Sequence, residues 1–208
     1  MEKSERRNHW EKIYRTKETE EVSWYQASPT ISLEFIAGLE IPMEAKIIDM
    51  GGGDSLLADH LLALGYQHLT VVDISETALN KARKRLGAKA DKVSWIRTEA
   101  VKFIQAEGYD LWHDRATFHF LTQEAEIDRY LKTVHENLNR AGILLLGTFS
   151  EQGPDQCSGL PVKQYSAVSL AKRVEIYFEK IRCRTADHYT PGGASQNFLY
   201  CCFRKKEL

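Results

Sequence analysis

From residue 45 onward, short apolar runs alternate with amphipathic stretches. Lys46 to Met50 (KIIDM) predicts a short buried strand, followed at once by Gly51, Gly52 and Gly53. Ser55 to Leu64 has helical spacing and is closed by Gly65. Leu69 to Asp73 predicts a second strand, and Ser75 stands as N-cap for a helix from Glu76 to Leu86. Val93 to Arg97 and Tyr109 to Trp112 predict the third and fourth strands. Glu124 to Leu138 predicts a long helix, and Gly142 to Thr148 (GILLLGT) a fifth strand. Strands alternating with helices imply a parallel sheet covered on both faces.

The alternation then breaks. After a helix over Ser169 to Phe178, Ile181 to Tyr189 and Asn197 to Phe203 read as two strands joined through Thr190-Pro191-Gly192-Gly193. That connector is too short for a helical crossover, so these strands run antiparallel. The expected fold is therefore α/β: a doubly wound, Rossmann-like, seven-stranded sheet, parallel except for an antiparallel C-terminal hairpin strand. Glu151 to Gln164, with two glycines and two prolines, reads as a loop.

Upstream of the sheet, Arg6 to Arg15 places Trp10, Ile13 and Tyr14 on one helical face. Trp24 and Tyr25 precede a second helix, expected to begin at Pro29 after Ser28 as N-cap and to stop at Gly38 and Pro42. Such a density of aromatics argues against a disordered terminus. The expected organisation is one domain over residues 1–208, with 1–44 as a helical cap and 45–208 as the core.

Composition narrows the class. Lys and Arg total 28 against 29 Asp and Glu, a formal net charge of −1. That balance and the lack of a long basic run argue against duplex nucleic acid as partner. The charged N-terminus carries no apolar leader, and no run approaches the roughly 20 apolar residues of a membrane span, so a cytoplasmic protein is expected. Cys157, Cys183, Cys201 and Cys202 show no metal-ligand spacing; no metal is expected. They read as reduced thiols, with a Cys183–Cys201 cross-strand disulfide as the alternative.

The candidate chemistry sits at the strand ends. Glycines between a first strand and a first helix allow a tight turn and close approach of a ligand to backbone. Asp73 ends the second strand about twenty residues on, where a carboxylate can accept from both hydroxyls of a ribose. The dinucleotide fingerprint asks for Gly or Ala where Leu56 stands. An acidic loop, with Asp49 and Asp54, suits a cationic ligand better than a pyrophosphate.

The residues Ile47 to Ser55 (IIDMGGGDS), Val71 to Ser75 (VVDIS), Arg97 to Ala100 (RTEA) and Tyr109 to Arg115 (YDLWHDR) resemble the class I, seven-strand, S-adenosylmethionine-dependent methyltransferases. Ser55 stands where that family's first motif usually has its last glycine. The His9-Trp10…Tyr14 and Ser23-Trp24-Tyr25 segments further resemble a group of small methyltransferase-like proteins. The resemblance implies S-adenosylmethionine as cofactor and S-adenosylhomocysteine as product. It implies backbone contact from Gly51 and Gly53 to the methionine part, and Asp49, beside Asp54 and Ser55, ordering the loop and reaching the ammonium. It places Asp73 on the ribose, Ile74 on the adenine face, Glu99 and Ala100 at the adenine amino group, and Asp114 and Arg115 beside the methionine moiety.

Methyl transfer from a sulfonium is an in-line displacement in which positioning and desolvation supply much of the catalysis, so no fixed catalytic residue is required. His119, after the fourth strand, is the candidate base; a packed rim histidine is the bland alternative. His113-Asp114-Arg115-Ala116 is not the Asn/Asp-Pro-Pro-aromatic motif of base-amine and glutamine methyltransferases, which directs expectation to a small molecule or a protein side chain. Trp10, Tyr14 and Trp24 read as a lid over the cofactor, against an alternative as ordinary core. A catalytically silent nucleoside-binding scaffold and an NAD-dependent oxidoreductase are the competing readings. The oligomeric state is not legible.

Overall fold

The computed structural model describes residues 3–105 and 108–207. Two helices, α1 (Lys3–Thr16) and α2 (Thr30–Ala37), precede the sheet. The sheet region then runs β1 (Lys46–Met50), α3 (Leu57–Leu64), β2 (His68–Asp73), α4 (Glu76–Leu86), β3 (Val93–Arg97) and β4 (Tyr109–Arg115). It continues with α5 (Glu124–Asn137), β5 (Leu138–Phe149), β6 (Gln156–Cys157), β7 (Leu160–Pro161), α6 (Ala167–Val174), β8 (Phe178–Tyr189) and β9 (Ser195–Lys205).

Seven strands form one sheet in the order β3-β2-β1-β4-β5-β9-β8. β1 to β5 are parallel, and β9 runs antiparallel to both β5 and β8. The antiparallel hairpin of the sequence reading is present. The order reverses between β1 and β4, so the glycine loop leaves β1 at the switch point where ligands of such sheets bind.

Strand alternation divides the core in two. Ile48, Trp112, Leu144 and Leu146 face one side, packed under Ile127, Tyr130 and Leu131 of α5 and Leu170 of α6. Ile47, Leu111 and Leu145 face the other, against Phe35 and Ile36 of α2, Leu61 of α3 and Leu79 of α4. Each such fully buried side chain contributes about 1.5–3 kcal/mol. Both faces of the central strands are covered, which is why they read as continuous apolar runs.

Local signals behave unequally. Ser75 Oγ accepts from the Ala78 N–H as an N-cap, and Gly65 closes α3 in the left-handed region. Ser28 does not cap α2: Pro29 occupies the cap position and no side chain bonds the helix start. β4 extends through Arg115, three residues past the expected end, because it lies between β1, which pairs as far as Asp114, and β5, which pairs as far as Arg115. The 151–164 loop holds the β6–β7 hairpin, too short to leave a periodic signal.

The cysteine expectation is corrected. Cys183 and Cys201 face each other across β8 and β9, with Cα atoms 4.1 Å apart, and form a disulfide. Adjacent Cys201 and Cys202 point to opposite faces of the sheet, one into each core half. Cys157 and Cys202 are free and buried. Among the described residues no helix is long and apolar enough to cross a membrane.

Candidate active site

The loop after β1 is bound from below. Gly51 and Gly52 N–H groups both donate to Val72 C=O of β2, at 2.7 and 3.1 Å. Gly51 and Gly53 have φ of +70° and +52°, a conformation that L side chains rarely adopt. There is also no room for side chains: a Cβ on Gly51 would run into Thr117, and one on Gly53 would sit 2.5 Å from the Tyr14 hydroxyl. At the loop's far end, Arg85 donates to Asp54 and Ser55 carbonyls while pairing with Asp59.

Above this loop opens a cleft of about 100 Å³, partly open to solvent. One end is formed by Asp73, Ile74, Thr98, Glu99 and Ala100 from the ends of β2 and β3. Asp73 Oδ1 accepts the Ser75 N–H at 2.7 Å, while Oδ2 approaches Gly53. Ser75 caps α4 itself, so Asp73 is not needed as a cap. Burial, then the nearby Asp54 and Asp49, push the Asp73 carboxyl up to about 7. Glu99 pairs with Lys102 at 2.5 Å while also lining the cleft.

The N-terminal aromatics form the roof. Trp10, Tyr14 and Trp24 all line the cleft; Trp24 packs edge-on against both Trp10 and Tyr14, and Trp10 also meets Phe120. Tyr14 is buried; desolvation, with Asp73 and Asp54 close by, holds its phenol protonated far above the usual range. The segment is tied down at several points. Glu11 accepts from the Glu76 N–H and the Thr77 hydroxyl at the start of α4. Arg6 pairs with Glu126 of α5, and Thr19 donates to Asp54 at 2.7 Å.

Several expected residues lie elsewhere. Asp49, Asp54 and Ser55 line a smaller adjoining hollow instead of the main cleft. Asp49 is engaged by His113 Nδ1 at 2.7 Å, and His113 Nε2 meets Ser32 Oγ of α2 at 2.8 Å, a buried chain of three side chains. Asp49 and His113 are register partners on β1 and β4, so their meeting was legible once that pairing was known. Asp114 faces away from the cleft. It accepts from the Thr117 and Phe118 N–H groups and the Tyr130 hydroxyl, and so fixes the turn after β4. It lines neither the cleft nor the adjoining hollow, because alternation along β4 sends it to the opposite face from Arg115.

The candidate base fails on geometry. His119 is fully buried between Phe120 and Phe149, lines neither cavity, and neither ring nitrogen has a hydrogen-bond partner. Burial, then Arg115, pushes it down to about 3. The bland expectation of a backbone-bonded rim histidine fails too. Replacing an unpartnered polar ring by an apolar one is near neutral. His119→Phe should therefore keep its unfolding midpoint within the equivalent of about 1 kcal/mol and retain methyl transfer. Loss of turnover in a folded, cofactor-binding His119→Phe protein would return it to the reaction.

Sequence reading missed Arg6, Thr98, Leu121 and Cys157 as lining residues. Cys157 arrives on β6, inside the stretch read as plain loop, and no local pattern announced it.

The cleft suits a nucleoside that also carries an amino-acid group. A carboxylate waits at the end of β2, Ile74 and Ala100 offer apolar faces, and the loop presents bare backbone with acids beside it. No Lys or Arg stands in the loop to meet a pyrophosphate. Residues 48–144 match the protein-family model of a methyltransferase domain. The mouse eEF1A lysine and N-terminal methyltransferase is 25% identical over 129 residues, 62% of this chain; the chain spans 17% of that relative's length. A solved structure described by the conversion of a disulfide bond into a thioacetal group during echinomycin biosynthesis superposes with a TM-score of 0.78. It is 18% identical and covers 96% of this chain and 93% of its own. The glycopeptide N-methyltransferase MtfA with S-adenosyl-L-homocysteine gives 0.68 at 15% identity, over 88% and 92%. At these identities the structural likeness speaks for the fold.

In fold, in its glycine loop and in the match over residues 48–144, the chain is similar to the class I, seven-strand methyltransferases.

Proposed function

We propose that the chain methylates a nucleophile on a small molecule or a slender protein side chain that enters beneath the α1 aromatics. The observation that carries this reading is the convergence of the glycine loop, Asp73 and the Trp10–Tyr14–Trp24 roof on one cleft. Gly51 and Gly53 present backbone to the amino-acid part of the cofactor, Asp73 accepts from the ribose hydroxyls, and Ile74 and Ala100 pack on the base. When bound, S-adenosylmethionine supplies an electrophilic methyl group on a sulfonium. The chain's own part is to orient the acceptor, keep water out and offer aromatic faces that attract cationic groups. Residues 1–44 act as a cap and 45–208 as the core.

Both acceptor kinds have support: one relative is named for eEF1A lysine and N-terminal methylation, and one structural neighbour for a glycopeptide. Calorimetric titration should show micromolar binding of S-adenosylhomocysteine, roughly −8 kcal/mol, and none of NAD. Incubation with methyl-labelled cofactor and a fractionated lysate should then place label in a small-molecule or protein fraction. Tight NAD binding without response to S-adenosylhomocysteine would defeat the reading, as would absence of label from every fraction.

A further inference from the structure

Among the described residues, Arg115 is a cation without an anion. Its Nε donates to the Tyr200 hydroxyl at 3.0 Å, its Nη1 to the Trp24 carbonyl at 3.0 Å, and its guanidinium lies 4.6 Å above the Phe198 ring. Those three contacts hold the fork in one orientation. The remaining nitrogen, Nη2, is buried and has no partner. By contrast, Arg6 faces Glu126, Arg85 faces Asp59, and Arg173 faces Asp128. Among the described residues no carboxylate pairs with Arg115.

The neighbours supply no negative charge. His119 and His188 are both held toward the neutral form, by burial first and by the Arg115 charge second. Burial raises the Cys157 thiol, so it too is uncharged. Leaving a buried charged donor unpaired is costly, and a ligand anion removes that cost. Arg115 lines both the cleft and the adjoining hollow, and stands beside Trp24, Phe120, Leu121 and Cys157, an apolar and largely aromatic wall.

We propose that Arg115 is the acceptor-recognition residue, and that the acceptor carries a carboxylate on an apolar, ring-sized body. The inference rests on the methyltransferase reading and narrows its substrate class. A planar fork fixed on three sides is matched to a two-oxygen anion, and the aromatic wall to a flat apolar frame. The cofactor's own amino-acid carboxylate is the rival partner, and the test separates the two.

Protein saturated with S-adenosylhomocysteine is titrated with benzoate and phenylacetate, and with benzamide and phenylacetamide, by ligand-observed NMR. At least one acid should bind about tenfold or more tighter than its amide. Arg115→Gln should abolish that preference while keeping S-adenosylhomocysteine affinity within about threefold. Arg115→Lys, which keeps the charge and loses the fork, should retain part of the preference and serves if the Gln variant folds poorly. Methylthioadenosine, which lacks the amino-acid group, provides the control. If Arg115→Gln weakens S-adenosylhomocysteine about tenfold and leaves methylthioadenosine unchanged, the arginine serves the cofactor and the proposal is overturned. Equal binding of acids and amides, or no binding of either to the wild type, overturns it as well. Failure of the wild type to bind S-adenosylhomocysteine at all defeats the methyltransferase reading instead.

Discussion

Asp73→Asn should bind S-adenosylhomocysteine about 30- to 1,000-fold more weakly than the wild type and yet melt at a higher temperature at pH 8. The affinity loss follows from two charge-assisted hydrogen bonds to ribose, about 2–4 kcal/mol together. The gain in stability follows from the cost of the empty site. Burial, reinforced by Asp54 and Asp49, raises the Asp73 carboxyl from 3.8 to about 7 in the folded chain. A raised carboxyl means that the folded state binds the extra proton between pH 4 and 7. Wild-type stability therefore falls as pH rises through that window, and the full penalty is present above it. The penalty is a few kcal/mol, shared with the coupled Asp54, and corresponds to roughly 5–10 °C in melting temperature. Asparagine keeps an acceptor for the Ser75 N–H and carries no charge, so it escapes the penalty. The stability difference should vanish near pH 4. Wild-type affinity for S-adenosylhomocysteine should itself drop about tenfold by pH 6, because the carboxylate must be ionised to accept both hydroxyls. Melting curves at pH 4 and 8, with calorimetry at pH 6 and 8, check all of this. A variant with unchanged affinity would reduce Asp73 to a structural residue.

The architecture was legible because its signals are local. Buried parallel strands announce themselves as apolar runs between glycine, serine and aspartate punctuation, and β1, β2 and β3 are found where those runs stand. The short Thr190–Gly193 connector alone required the antiparallel pair. Adjacency was another matter: nothing in residues 178–205 says that β9, and not β8, pairs with β5. Gly51, Asp73, Ile74 and Ala100 come together on one cleft because each stands at or just beyond a strand end. Asp114 and His119 do not join them, since their fate depends on which way a side chain points. One residue of register sends Asp114 under α5 and its neighbour Arg115 into the cleft. His119 lies one position before Phe120, which takes the cleft wall while the imidazole packs behind it. The Cys183–Cys201 bond likewise depends on a register that composition cannot supply.

Removal of residues 1–26 should leave a folded sheet with S-adenosylhomocysteine affinity reduced about a hundredfold or more, close to 3 kcal/mol. Much of the roof of the cleft is built from this segment: Trp10, Tyr14 and Trp24 come from it and face Phe120 and Leu121. The first strand begins at Lys46, so the core halves keep their own packing. The truncated chain should nonetheless melt lower. Tyr14 and Val22 are buried in the full chain, Thr19 supplies the hydrogen bond that steadies buried Asp54, and Glu11 satisfies N–H groups at the start of α4. Met1 and Glu2 belong to the same segment but lie outside the described residues. Because Trp10 and Trp24 stand in the cleft wall, tryptophan fluorescence of the full chain should change on titration with S-adenosylhomocysteine. Protease cleavage within 1–26 should slow as the ligand fills the space beneath it. Calorimetry on the 27–208 protein decides the matter. Affinity equal to that of the full chain would mean that the aromatics merely cover the sheet edge, and that the cofactor is held by the glycine loop and Asp73 alone.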